Sequence, residues 1–295
     1  MPRKEGDLRV RKTTLFRTLV EGPEILVLPG AHDSLTARVI EKCGFKALTA
    51  GGYSFSASLL GKPDIGLLTM TEMVHQYRNL VNAVDIPVFA DADTGYGDVH
   101  NVMRAVRKYE AAGVAGLFIE DQVFPKRCGH MAGKAVIPLE EMVAEIKAAI
   151  AARQDPDLVI TARTNALAVH GFDDAIRRGK AYAEAGADMI FVEAVTSEEQ
   201  MRTVNREILK PTLANMIEGG KTPLKTPQEL QNLGYAVVVH PCSLTYAVAG
   251  AAMRCMTELA THGTTAGCRE DMMDFDEFFR FIGAPEIRER EKRFF

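Results

Sequence analysis

Eight short apolar runs recur along the chain, and segments with the apolar spacing of amphipathic helices separate most of them. Continuously apolar runs of this length are typical of strands buried on both faces of a sheet, and helices between them permit parallel crossovers. The alternation therefore predicts an α/β fold built on parallel strands. The runs are Ile25-Leu28, Ala47-Ala50, Val88-Ala90, Gly116-Ile119, Leu158-Thr161, Met189-Val192, Thr212-Ala214 and Ala236-Val239.

Two folds share this alternation, a closed (β/α)8 TIM barrel and an open doubly wound sheet. Polar residues or glycines follow the runs, and a barrel would bring all of them to one mouth at the carboxyl ends of its strands. We therefore favour the barrel, although periodicity alone does not exclude the open sheet. These positions are His32, Asp33, Gly51, Gly52, Asp91, Asp93, Glu120, Asp121, Arg163, Glu193, Asn215 and His240.

Composition and charge limit the partners and the location of the protein. With 35 Lys and Arg against 39 Asp and Glu, the formal net charge of -4 offers no basic surface for nucleic acid. No apolar run approaches the ~18 residues that a membrane span requires. The five cysteines have no CxxC spacing, which argues against a disulfide framework or a zinc site and fits a reducing cytoplasm.

No linker rich in Pro, Gly or Ser divides the chain, so we predict a single domain over 1–295 that includes a C-terminal helical arm. Residues 274–295 combine aromatic side chains with a dense run of Arg and Glu. Two interpretations stay open, a solvated terminal helix and an arm that packs on a neighbouring subunit. The aromatic side chains of the second interpretation are Phe275, Phe278, Phe279 and Phe281.

Two aspartates, Asp91 and Asp93, follow the third run within a glycine-containing loop. Carboxylates at this spacing can direct hard oxygen ligands toward one small cation, and Mg2+ is the natural candidate. The alternative is that the aspartates cap the helix that begins near Asn101. Glu120, at the end of the next strand, favours the metal site, and Asp64 is a further candidate on weaker grounds.

A cysteine lies among cations and an imidazole in the segment Lys126-Arg127-Cys128-Gly129-His130. Neighbouring positive charge lowers the pKa of a thiol and makes proton exchange practical near neutral pH. The other cysteines have apolar or small neighbours for the most part, so Cys128 is the candidate reactive thiol. The sequence does not decide whether it acts as a nucleophile or as an acid.

Arg163 follows the fifth apolar run. A guanidinium at the end of a buried strand needs an anion to offset its burial. A substrate carboxylate would supply one in a planar, bidentate match, whereas the alternative is an ordinary surface cation.

Together these motifs resemble the isocitrate lyase/phosphoenolpyruvate mutase superfamily over roughly residues 16–264. Within it the sequence looks most like the 2,3-dimethylmalate lyase and carboxyvinyl-carboxyphosphonate phosphorylmutase-like branches. The cysteine loop and the two-aspartate loop occurring together carry most of the resemblance. The matching segments are Asp91-Ala92-Asp93-Thr94-Gly95-Tyr96-Gly97, Ile119-Glu120-Asp121-Gln122, Lys126-Arg127-Cys128-Gly129-His130, Thr161-Ala162-Arg163-Thr164 and the eleven residues from Leu213 to Pro223.

The resemblance implies a fold, a metal and a site. It implies a (β/α)8 barrel that binds Mg2+, with Mn2+ as a substitute, in a homotetramer whose C-terminal helices are exchanged between subunits. The implied metal residues are Asp91, Asp93, Asp64 and Glu120. The implied catalytic residues are Cys128 as general acid, Arg163, Glu120 and His130. The implied substrate-binding residues are Gly51, Gly52, Tyr53, Asp91, Lys126, Gly129, Arg163, Glu193, Asn215 and Glu218.

The activity that the resemblance implies is cleavage of a carbon-carbon bond in a 2-hydroxy dicarboxylate, giving pyruvate or a related 2-oxoacid. Tricarboxylate-cleaving relatives are expected to carry an extra arginine after the eighth strand, where this chain has Tyr246. This difference favours a smaller acid, related to 2,3-dimethylmalate. The alternatives are carboxyvinyl-carboxyphosphonate phosphorylmutase-like phosphorus transfer, oxaloacetate hydrolysis or decarboxylation, and 2-methylisocitrate cleavage.

Overall fold

Strands and helices alternate in the computed structural model, which describes residues 10–129, 131 and 133–295. All eight predicted runs fall on strands of this part of the chain, so the α/β alternation is confirmed. The strands are β1 (Leu26–Pro29), β2 (Leu48–Ala50), β3 (Val88–Asp91), β4 (Gly116–Glu120), β5 (Val159–Thr164), β6 (Met189–Val192), β7 (Leu213–Asn215) and β8 (Val237–His240).

The strands are parallel and follow the order of a (β/α)8 barrel, but their hydrogen-bonded ladder is interrupted at two seams. Strands β2 to β6 form a five-stranded sheet in sequence order, and β1, β8 and β7 form a three-stranded sheet. One isolated parallel bridge crosses each seam, Gly30 with Thr49 and Ile190 with Thr212. The predicted barrel order is therefore confirmed, while the strands do not form one continuous closed sheet.

Several helices of the first part of the chain begin at an N-cap side chain. Asp33 and Thr69 each form a reciprocal capping box at the start of a helix, and Asp98 accepts hydrogen bonds from the first turn of another. The helices are α1 (Lys12–Val20), α2 (Ser34–Lys42), α3 (Gly52–Phe55), α4 (Met70–Ala83), α5 (Val99–Ala112), α6 (Leu139–Ala152), α7 (Phe172–Glu184), α8 (Glu198–Glu207) and α9 (Pro227–Asn232).

The hydrophobic core has two layers. A larger cluster lies between the strands and the helices, and a smaller cluster of side chains from the strands and α1 includes a chain of aromatic rings. Phe16 of α1 stacks on Phe89 with ring centroids 5.4 Å apart, and Phe118 lies 5.9 Å from both Phe89 and Phe191. These rings fill the space between the strands, so polar chemistry is confined to the strand ends.

A second compact unit, Thr245–Phe295, follows the unit that ends at Leu244. It holds most of α10 (Ser243–His262), together with α11 (Phe275–Phe281) and α12 (Ala284–Glu291), so the predicted C-terminal helical extension is present. None of the three helices has a buried side chain. Met253 and Phe275 are among the exposed apolar residues of this second unit. In the described residues, no helix combines the length and the apolar character needed to cross a membrane.

Candidate active site

Asp91 and Asp93 lie at the carboxyl end of β3 and are both buried. Asp91 Oδ2 accepts a hydrogen bond from the Gly52 amide at 3.0 Å, and its Oδ1 accepts one from the Asp93 amide at 2.8 Å. The N-cap of α5 is Asp98, so the alternative that Asp91 and Asp93 cap this helix is wrong. Both carboxylates are instead turned into the strand-end pocket, where burial makes an ionised oxygen costly without a cation.

Two buried tyrosines hold the backbone of Asp91. The Asp91 amide donates to the Tyr77 hydroxyl at 2.7 Å, and the Tyr109 hydroxyl donates to the Asp91 carbonyl at 3.0 Å. The Tyr77 hydroxyl in turn donates to the Ala50 carbonyl at 2.7 Å. The end of β3 is thereby fixed to the end of β2, next to the glycines that approach the aspartates.

Lys126 connects the cysteine loop to the acidic residues. Its ammonium lies 2.7 Å from Asp64 Oδ2 and 2.7 Å from Asp93 Oδ1, and all three side chains are buried. Burial raises the pKa of Asp93 to about 7, with Asp91 and Asp64 adding to the rise and Lys126 opposing it. Burial alone would lower the pKa of Lys126, but the surrounding carboxylates hold it well above its ordinary value.

The donor chemistry of this acidic cluster, Asp64, Asp91 and Asp93, fits a hard divalent cation. Three buried carboxylates share one ammonium, so negative charge remains in excess when they are ionised. In the described residues no three His, Cys, Asp or Glu side chains converge into a complete ligand set. The excess negative charge suits Mg2+, which binds few carboxylates and keeps water and substrate oxygens in its shell.

Arg163 lies between two buried glutamates at the ends of β4 and β6. Its Nη2 is 2.8 Å from Glu193 Oε2, and its Nε is 3.3 Å from Glu120 Oε2. Its guanidinium carbon lies 4.8 Å from the centre of the Phe191 ring. Burial alone would lower the pKa of Arg163, but Glu120 and Glu193 raise it above its ordinary value. The guanidinium is therefore a fixed positive charge between the two glutamates, at the carboxyl ends of the strands.

Asn215, at the end of β7, extends this group. Its Nδ2 lies 3.3 Å from Glu193 Oε2, within donating distance of the same carboxylate that Arg163 contacts. Its Oδ1 is buried and has no hydrogen-bond partner among the described residues. We refer to Arg163, Glu193 and Asn215 as the arginine pocket.

The cysteine loop, residues 123–136, contacts both the acidic cluster and the arginine pocket. The Cys128 amide donates to the Asp64 carbonyl at 3.2 Å. A Cβ placed on Gly129 would lie 2.4 Å from Arg163 Nη2 and 2.7 Å from Glu193 Oε2, so only a glycine allows this approach. The cysteine loop therefore meets the acidic cluster through the Cys128 amide and through Lys126, which contacts Asp93 from a distant part of the sequence.

The remaining predicted residues have three different outcomes: some lie against the acidic cluster, one lies away from it, and one is not described. Gly51 and Gly52 lie against the acidic cluster, where a Cβ on Gly52 would be 3.0 Å from Lys126 Nζ, and Tyr53 follows them in α3. Glu218 is exposed, and its carboxylate accepts a hydrogen bond from the Ser243 hydroxyl rather than joining the buried groups. His130 lies outside the described residues.

Several residues of the site were missed by sequence reasoning. Tyr77 and Tyr109 lie inside helices, where an apolar face gives no sign of a hydroxyl directed at a strand end. Gln122 belongs to the motif at the end of β4 but has no predicted role of its own, and the sequence gives no sign that the Lys134 ammonium donates to the Gly129 carbonyl. A polar residue close after a strand was the one available signal for Gln122.

A parallel α/β barrel that gathers an acidic cluster, a buried arginine and a thiol at the ends of its strands has the construction of a barrel enzyme. A family profile described as phosphoenolpyruvate phosphomutase matches residues 16–261. The chain belongs to the phosphoenolpyruvate mutase/isocitrate lyase superfamily, and several of its relatives are named lyases. The family and the enzyme class expected from the motifs are confirmed.

Three curated relatives illustrate the range of the family. The 2,3-dimethylmalate lyase of Eubacterium barkeri is 49% identical and aligns over 95% of this chain and 96% of its own length. A chloroplastic carboxyvinyl-carboxyphosphonate phosphorylmutase of Arabidopsis thaliana is 42% identical and aligns over 96% of this chain and 85% of its own length. A probable 2-methylisocitrate lyase of Corynebacterium glutamicum is 42% identical and aligns over 92% of this chain and 89% of its own length.

Solved structures agree with the fold over nearly the whole chain. A 2,3-dimethylmalate lyase crystal structure superposes with a TM-score of 0.91 at 36% identity, covering 97% of this chain and 96% of that one. The structure of oxaloacetate acetylhydrolase with the inhibitor 3,3-difluorooxalacetate superposes with a TM-score of 0.91 at 32% identity, covering 95% of this chain and 96% of that one. The structure of phosphonopyruvate hydrolase with oxalate and Mg2+ superposes with a TM-score of 0.87 at 29% identity, covering 96% of this chain and 99% of that one.

Proposed function

We propose that this chain is a Mg2+-dependent carbon-carbon lyase that cleaves a 2-hydroxy dicarboxylate related to 2,3-dimethylmalate into pyruvate, or a related 2-oxoacid, and a carboxylate. The observation that carries this proposal is the position of the cysteine loop, which contacts the acidic cluster through Lys126 and the arginine pocket through Gly129. A thiol, a cation-binding cluster and a fixed guanidinium then face one substrate. The 49% identity to 2,3-dimethylmalate lyase supports the substrate class.

In this proposal Asp91 and Asp93 hold the cation directly or through water, and Asp64 and Glu120 lie in its outer sphere. Mn2+ would substitute because it accepts the same oxygen donors. When bound, the ion would supply Lewis-acid polarisation of the 2-hydroxyl and carboxylate oxygens of the substrate. The Mg2+ in the complex of phosphonopyruvate hydrolase supports this assignment.

The residues of the chain supply binding, charge stabilisation and a proton. The backbone from Gly51 to Tyr53 binds the 2-hydroxyacid end of the substrate, which becomes the 2-oxoacid, and Arg163 stabilises negative charge that develops in the transition state. The 2-hydroxyl gives up its proton to solvent as the C2–C3 bond breaks, so the hydroxyl-bearing carbon becomes the carbonyl of the 2-oxoacid, and solvent returns a proton to Cys128 at the end of the cycle. The other fragment keeps the electron pair as an enediolate, and the Cys128 thiol donates the proton that completes the carboxylate product.

The test is a panel of 2-hydroxy and 2-oxo dicarboxylates with Mg2+, with products identified by mass spectrometry. We expect one pyruvate per 2,3-dimethylmalate consumed, loss of turnover with EDTA, and recovery when Mg2+ is restored. Phosphonate rearrangement seen by phosphorus NMR, without cleavage of any hydroxy acid, would overturn the proposal in favour of the phosphorylmutase branch. Turnover confined to oxaloacetate or to 2-methylisocitrate would overturn the substrate class.

We also propose a cytoplasmic homotetramer in which the C-terminal helical arm, Thr245–Phe295, packs on a neighbouring subunit. Its three helices have no buried side chain, and exposed apolar residues such as Met253 and Phe275 need a covering surface. None of the five cysteines forms a disulfide in the described residues, which is typical of a reducing compartment. Native mass spectrometry that finds a monomer at micromolar concentration would contradict the assembly.

A further inference from the structure

The Gln122 side chain holds both backbone groups of a residue in the cysteine loop. Its Oε1 accepts a hydrogen bond from the Arg127 amide at 3.1 Å, and its Nε2 donates to the Arg127 carbonyl at 2.7 Å. The same Nε2 donates to Glu120 Oε2 at 2.9 Å. Gln122 is 2% exposed. One buried amide therefore connects Glu120, which contacts Arg163, to the peptide group directly before Cys128.

The base of the loop is fastened independently of Gln122. The Val123 amide donates to the Ala135 carbonyl at 2.9 Å, and the Ile137 amide donates to the Asp121 carbonyl at 2.9 Å. These backbone bonds join the two ends of the loop, and Gln122 acts beyond them, where the loop reaches the pocket. Loss of the Gln122 amide would release the tip while the base stays closed.

We propose that Gln122 is a positioning residue that sets the place of the Arg127 backbone, and so of the chain leading into Cys128, relative to Glu120. The side-chain amide has two N–H donors and one carbonyl acceptor, and Glu120 and Arg127 use all three functions. The Arg127 peptide is therefore held at a fixed distance from the carboxylate that neighbours Arg163. The importance of this position for catalysis rests on the proposed function, in which Cys128 donates a proton.

The test is hydrogen exchange on the full chain without ligand, read by mass spectrometry with fragmentation that resolves single amides. In Gln122→Leu we expect the amides of Arg127 and Cys128 to exchange at least about ten-fold faster, because the Arg127 amide loses its acceptor and the peptide group before Cys128 loses its donor. The amides of Val123 and Ile137 should exchange as in the wild type. The exposed Gln228→Leu is the matched control and should change none of the four amides.

A nearly isosteric variant, Gln122→Glu, separates the effect of the amide hydrogen bonds from the effect of side-chain volume. It keeps the acceptor for the Arg127 amide, loses both N–H donors and places a second carboxylate beside Glu120, so the tip should again exchange faster. Unchanged exchange at Arg127 and Cys128 in Gln122→Leu, or equal acceleration of all four amides, would overturn the proposal. So would a Gln122→Glu variant that behaves as the wild type. Exchange does not depend on turnover, so an inactive substrate panel would refute the lyase and leave this result interpretable.

Discussion

The ammonium nitrogen of Lys126 lies 2.7 Å from Asp93 Oδ1, although the two residues belong to loops that follow different strands. The same nitrogen lies 2.7 Å from Asp64 Oδ2. Cys128 follows Lys126 by two positions, so the pair brings the thiol to the acidic cluster. Without this contact, Asp64 and Asp93 would be buried carboxylates without a fixed positive charge beside them.

Lys126→Met should make stability depend strongly on Mg2+. Removing one partner of a buried ion pair costs about 3–5 kcal/mol because the remaining charges are uncompensated. A bound divalent cation would restore part of this loss, since a ligand that binds only the folded state stabilises it. Thermal unfolding with 0 and ~10 mM MgCl2 gives the comparison, because stabilisation by a bound ligand grows with its concentration.

The expected result is a larger Mg2+-induced rise in Tm for the variant than for the wild type. Lys147→Met, which removes an exposed lysine of α6, is the control and should respond as the wild type does. Equal Mg2+ shifts in all three proteins would contradict a cation site at this cluster.

Cys128→Ala should abolish most turnover while the fold remains intact. A positioned general acid contributes about 10²–10⁴-fold to rate, so kcat should fall within that range. Pyruvate formation from 2,3-dimethylmalate measures kcat, and Tm reports the fold. Cys43→Ala, at an exposed cysteine, should leave kcat unchanged. Full turnover in Cys128→Ala would remove the acid from the proposed mechanism.

Gly129→Ala should displace the cysteine loop from the arginine pocket. The new Cβ would lie 2.4 Å from Arg163 Nη2, which is far inside van der Waals contact, so the loop or the Arg163–Glu193 pair must move. We expect kcat to fall at least about ten-fold, because small displacements of reacting groups are costly. Gly250→Ala meets no atom closer than 3.6 Å and should retain activity. Wild-type kinetics in Gly129→Ala would mean that the loop does not rest on this pair during turnover.

Glu145 should make stability fall as pH rises. Burial raises the pKa of its carboxyl from 4.5 to about 7, and Glu141, Asp98 and Asp121 add to the rise. Its Oε2 has no hydrogen-bond partner in the described part of the chain. A raised carboxyl pKa stabilises the fold below about pH 4.5, and this contribution is lost as pH rises to about 7.

Glu145→Gln removes the titration. Relative to the wild type, the free energy of unfolding of the variant should improve by about 1–3 kcal/mol between pH 5 and pH 8. Urea unfolding at the two pH values measures the change. Glu140→Gln, on an exposed position of the same helix, serves as the control. A constant difference between wild type and Glu145→Gln at both pH values would show that this carboxyl does not titrate in the range.

Local apolar runs predicted every strand, but they ended most strands too early. β3 continues to Asp91, β4 to Glu120 and β8 to His240, each one residue beyond its apolar run. The ladder hydrogen bonds involve backbone groups, so pairing continues into polar residues, as Glu120 opposite Arg163 shows. The polar residues that follow four of the predicted runs are thus the last residues of their strands, namely Asp91, Glu120, Asn215 and His240, whereas Glu193 lies one residue beyond β6.

The candidate site was predictable where its residues are adjacent in sequence to a strand end. Asp91, Asp93 and Arg163 fall in this group. Tyr77 reaches Asp91 from the interior of α4, and Lys126 pairs with Asp64 across the pocket, so both relationships depend on how distant segments pack. No local pattern encodes such a contact, because helical spacing shows which face of a helix is buried and not what its polar atoms meet.

The acidic cluster and the arginine pocket come from different strands, and this division matters for protein engineering. The cluster depends on segments near β2 and β3, whereas the pocket is built at the ends of β5, β6 and β7. Directed evolution can therefore randomise Glu193 and Asn215 to search for new substrates without touching Asp91 or Asp93. A library restricted in this way would test many specificities while leaving the groups assigned to the cation unchanged.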